Sequence, residues 1–126
     1  MMQRIVRIVV GVAGLLSILL AARFFINPAA PAALLGITPV GDLGTATLRA
    51  DLGGFFGVCG ILALAAAIRN SAALVTVPLL AIAIALSGRI VSYAIDGGGS
   101  AVVEPMLVEL ALLVVFGLGW ATLSRA

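Results

Sequence analysis

Arg49, Asp51, Arg89, Glu109 and Tyr93 are the residues of this chain whose types and spacing suit a shared chemistry. Two guanidiniums, two carboxyl groups and a phenol can build charge-assisted hydrogen bonds or hold the polar end of an amphipathic molecule. Whether they meet depends on depth. At 1.5 Å per helical residue, Arg69 to Arg89 covers about 30 Å, Asp51 to Arg69 about 27 Å and Glu109 to Arg125 about 24 Å. Each interval is close to one membrane crossing, so Arg49, Asp51, Arg89 and Glu109 are expected at one depth although they belong to three segments.

Glu109 is the most demanding of the five. It lies inside an apolar stretch after Glu104-Pro105, where a carboxylate needs a cation, and Arg89 is the expected partner because a planar guanidinium can serve both carboxylate oxygens. Ser92 and Tyr93 follow Arg89 by three and four residues, so they share its helix face and place a hydroxyl from Tyr93 near the same layer. The plainer reading has the same residues capping helix ends and reaching headgroups one by one.

The elements that must position these groups are set by composition. Of 126 residues, 63% are hydrophobic and 10% charged, and the mean hydropathy is +1.33. That much apolar surface does not fit inside one small soluble core, which makes the bilayer the solvent. Four apolar segments are expected as helices at about 5–25, 44–68, 72–93 and 104–123, making residues 1–126 one all-α, integral membrane four-helix bundle. The arginines followed by an apolar run at the start are read as a retained first helix, not a cleaved leader.

Between the first two segments, Asn27-Pro28 opens and Gly36 closes a short helix expected to lie on the membrane surface. Asp42 or Thr45 is expected to cap the second spanning helix. Arg69-Asn70-Ser71 reads as a tight turn, Gly97 as the stop of the third helix, and Pro105 as a first-turn residue of the fourth. Gly53, Gly57 and Gly60, continuous with Arg49, form a small-residue stripe where a neighbouring backbone can approach closely; Gly11 and Gly14 are read the same way.

Arg4, Arg7, Arg69 and Arg125 fall on one side with no acidic neighbour, whereas all five carboxylates fall on the other. The arginine-rich side is therefore expected to be cytoplasmic, with both termini there. The pI near 9.5 does not point to nucleic acid, because the chain has no lysine and its arginines stand singly at segment ends. One cysteine, Cys59, within an apolar segment and no histidine leave no redox pair and few ligands, so neither a metal nor a cofactor is expected. Cys59 is read as a small packing residue, Trp120 as an interfacial anchor, and Phe55 and Phe56 as packing or lipid-facing groups.

Leu35-Gly36-Ile37, Leu48-Arg49-Ala50-Asp51-Leu52-Gly53-Gly54, Gly88-Arg89, Asp96-Gly97 and Glu109-Leu110 together resemble a bacterial family of small four-helix inner-membrane proteins of unknown function. Leu52 stands where that family often carries an aromatic. The resemblance covers nearly the whole chain and implies a multi-pass protein of the bacterial inner membrane, with a distant likeness to DoxX-type membrane proteins. No catalytic residue is assigned. The expected role is a non-enzymatic component that binds a lipid, another amphipathic molecule or a partner helix. Membrane lipids are its expected partners, with a homo-oligomer or larger membrane complex as the assembled form. The alternatives are an accessory of a membrane oxidoreductase, or an oligomeric proton-coupled carrier using Glu109.

Overall fold

Uncharged runs of leucine, alanine, valine and isoleucine satisfy every backbone group within their own segment only as helices, and helices account for the architecture. The computed structural model describes residues 1–125. Its elements are α1 (Met2–Ile26), a short α2 (Ala29–Leu34), α3 (Gly41–Arg69), α4 (Ala72–Asp96) and α5 (Gly99–Thr122). The four long helices are each long and apolar enough to cross a membrane, and the chain is an all-α four-helix bundle. Outward faces stay apolar, as lipid contact requires: Ile8 and Ile84 are 67% and 71% exposed.

The stops follow local chemistry. Asn70 ends α3 in the left-handed conformation (φ 52°, ψ 52°), and Gly97 ends α4 at φ 74°. Three details differ from the sequence expectation. α5 begins at Gly99, so Pro105 lies inside the helix beyond its first turn. Neither Asp42 nor Thr45 caps α3; the Thr45 hydroxyl instead donates back to the Gly41 carbonyl at 3.1 Å, the usual competing bond of a hydroxyl within a helix. One wide turn with i→i+5 bonding, Leu48–Leu52, interrupts α3 around Arg49 and Asp51.

α1 and α3 make the closest helix pair. A Cβ built on Gly14 would lie 2.8 Å from the Gly60 carbonyl oxygen, and one built on Gly60 would lie 2.7 Å from that of Gly14. The rest of the stripe faces α1 too, less tightly: a Cβ at Gly53 would meet the Phe25 ring at 3.1 Å, and one at Gly57 would meet Ala21 at an ordinary 3.8 Å.

The end of the bundle bearing Arg4, Arg7, Arg69 and Arg125 is tied across all its helices. Arg7 donates from Nε to the Ala67 carbonyl (2.9 Å) and from Nη2 to that of Ile68 (3.2 Å), satisfying carbonyls that the end of α3 leaves open. Gln3 donates to the Thr122 carbonyl at 3.0 Å, and the Ala72 amide donates to the Ser124 carbonyl at 2.9 Å. The core on this side draws Val10, Ala63, Val75 and Phe116 from all four long helices. At the opposite, acidic end the buried cluster of Phe24, Ala32 and Leu48 comes from α1, α2 and α3 alone. The α4/α5 hairpin thus joins α1/α3 at the basic end and stands apart from it at the acidic end.

Candidate site in the cleft at the acidic end

Where the hairpins separate, a cleft of about 550 Å³ opens between them. One wall comes from the first half of the chain, with Leu20 of α1, Leu35 and Ile37 after α2, and Leu52, Phe55 and Phe56 of α3. The other comes from α4 and α5, where Ile82, Ala85 and Arg89 face Pro105, Val108, Glu109 and Leu112. Its size is that of a small-molecule pocket, about 300–1,000 Å³, and its lining is that of one: apolar, with a single charged group placed in it.

Arg89 and Glu109 form that group. Arg89 Nε donates to Glu109 Oε1 at 2.6 Å, joining α4 to α5. It is the one ion pair among the described residues. The Glu109 side chain is 12% exposed and that of Arg89 32%. Only half of the carboxylate is served: Glu109 Oε2 is buried and accepts no hydrogen bond from the described residues. A buried acceptor left in that state costs about 1–3 kcal/mol. The contact is made through Nε alone, so the five-donor fork of the guanidinium is not used in its bidentate form.

The other sequence candidates lie elsewhere. Arg49 Nε donates to the Phe25 carbonyl at 3.0 Å, closing the end of α1 as Arg7 closes the end of α3. The reason is the glycine stripe: Gly53, Gly57 and Gly60 face α1, and Arg49, on the same face of α3, is carried there with them. Asp51 is exposed and forms no ion pair among the described residues. Tyr93 is 49% exposed and does not line the cleft. The structure therefore brings Arg89 and Glu109 together and leaves Arg49, Asp51 and Tyr93 outside their contact.

Several cleft residues were not among the sequence candidates. Phe56 stacks on Phe24 (centroids 5.8 Å apart, planes 9° apart), and Phe55 meets Phe56 edge to face at 5.2 Å, so both rings form a rigid wall. Ala85 stands four residues before Arg89, Pro105 four before Glu109 and Leu112 three after it. Helical spacing from the charged pair was the signal that could have found them. Trp120 has the Arg125 guanidinium over its ring, 4.7 Å from the centroid, and so serves as a stacking surface rather than an anchor alone.

The cleft continues into a second apolar hollow of about 400 Å³ that shares Leu20, Phe56, Val108 and Leu112 and is flanked further along α1 by Val9, Val12 and Leu16. Val9 to Leu20 is about 16 Å of helix. Val9, Val12 and Leu16 are exposed on the lipid-facing surface, so this trough opens sideways. A more open hollow of about 360 Å³ lies at the basic end beside Arg4 and Arg7, but Arg7 there is engaged by the end of α3. Comparison with family models, with curated proteins and with solved structures gives no match for this chain.

Proposed function

We propose that this protein is a non-enzymatic membrane component that binds a single amphipathic molecule in the cleft at its acidic end. The observation that carries the reading is the position of the Arg89–Glu109 pair at one end of an apolar trough. A polar group with a tail running away from it is the complement of that surface: the head reaches the pair and the tail lies along Leu20, Phe56 and Leu112. Lateral opening supplies a route from the bilayer that spares the molecule a passage through water.

The bacterial inner membrane is the compartment we propose, with both termini in the cytoplasm. Arg4, Arg7, Arg69 and Arg125 at one end, and Asp42, Asp96 and Glu104 towards the other, support that orientation. The cleft would then face the outer leaflet.

Native mass spectrometry of the protein extracted from its own membrane in mild detergent tests the reading. Bound amphiphile is expected on the parent and lost from Ala85→Trp, whose ring occupies the cleft while both charged side chains are retained. A parent that carries no amphiphile, or a Trp variant that retains it equally, would contradict the proposal.

A further inference from the structure

We infer that the head of the bound molecule is uncharged and carries a hydroxyl group. The inference rests on the cleft reading above and concerns the ligand's class. Three observations lead to it. The cleft is lined by one cation and one anion, which balance. Glu109, which lines the cleft, keeps its second oxygen, Oε2, buried with no donor among the described residues, so the side chain carries an unmet acceptor. Arg89 uses only Nε towards Glu109, and its Nη groups have no protein acceptor among the described residues.

A hydroxyl matches both demands with one oxygen. Its O–H donates to Glu109 Oε2 once the carboxylate turns that oxygen towards the cleft, and its lone pairs accept from an Arg89 Nη group. Charged heads fit less well. A carboxylate would gain Arg89 but face the unmet oxygen of Glu109 across a cleft of low polarity. A quaternary ammonium would gain Glu109 but face Arg89 and has no hydrogen to donate. An ether keeps the acceptor and lacks the donor, which leaves Oε2 as it was. Tail length is set by the trough along α1, so the class is a long-chain or isoprenoid alcohol, or another neutral lipid ending in a hydroxyl.

The experiment uses four probes built on a sixteen-carbon chain, counting the carboxyl carbon of palmitate: hexadecanol, methyl hexadecyl ether, palmitate and hexadecyltrimethylammonium. Each is titrated into the full-length protein in micelles and followed by native mass spectrometry and by the shift in unfolding temperature. Hexadecanol should bind at least about tenfold more tightly than the other three. In Glu109→Gln, Arg89 loses its counter-charge and the preference should pass to palmitate. Equal binding of all four to the parent, abolished in Ala85→Trp, would overturn the hydroxyl assignment and leave the cleft reading standing. So would palmitate as the tightest ligand of the parent. Failure of all four to bind would overturn the cleft reading itself.

Discussion

Gly14 and Gly60 face each other so closely that a methyl group on either would press on the other's carbonyl oxygen, at 2.8 Å and 2.7 Å. This crossing fixes α1 against α3, and with it the face of α3 that carries Arg49. The same contact directs Arg49 to the end of α1 and leaves Arg89 and Glu109 as the charged pair of the cleft.

Gly60→Ala should therefore separate α1 from α3 and destabilise the bundle by about 1–3 kcal/mol, as overpacking does. Gly57→Ala, whose new carbon would meet Ala21 at 3.8 Å, and Gly54→Ala, which points into open space, should stay near the parent. Unfolding in mixed micelles with rising SDS measures the difference. Equal costs at positions 54, 57 and 60 would contradict the close crossing.

The ion pair predicts a non-additive cycle. Arg89→Met alone strands the Glu109 carboxylate and should cost about 2 kcal/mol, a buried-pair value reduced because Arg89 is a third exposed. The double variant Arg89→Met/Glu109→Leu removes both charges and should be closer to the parent than either single variant. Additive single costs in the same unfolding assay would show that the two side chains do not interact.

How far this was legible in the sequence depends on the residue. The four spans were, because hydropathy and length alone determine them. The Arg89–Glu109 pairing was also readable from depth, since it needs only two residues at one level on sequential helices. Arg49 was not placed, although the information was present: the stripe from Gly53 to Gly60 and the expected gathering with Arg89 and Glu109 in one layer made opposite demands on one helix face. Close backbone approach at Gly60 decided between them. The cleft was illegible because it arises from how two hairpins diverge, and no local pattern encodes that angle.

Arg7 and Arg49 close the ends of each other's helices, but not equally. Arg7 is half-buried and makes two bonds to α3, whereas Arg49 is exposed and makes one to α1. Arg7→Ala should cost about 1–2 kcal/mol, and Arg49→Ala about 1 kcal/mol or less. A larger loss from Arg49→Ala in the SDS assay would contradict this ranking.

Orientation is open to labelling. In a Cys59→Ala background, a cysteine at Ser100 should react with an impermeant maleimide added to intact cells, and a cysteine at Met2 should react only after the membrane is opened. The reverse pattern would place the cleft on the cytoplasmic side and contradict the arginine-based assignment.

The central claim is that an amphipathic molecule lies between the hairpins, and photo-crosslinking with a hexadecanol analogue bearing a mid-chain diazirine tests it most directly. Label is expected on Phe56, Val108 and Leu112, and it should fall when unlabelled hexadecanol is added in excess. Label confined to lipid-facing residues such as Ile84 and Val114, unaffected by competitor, would contradict the account.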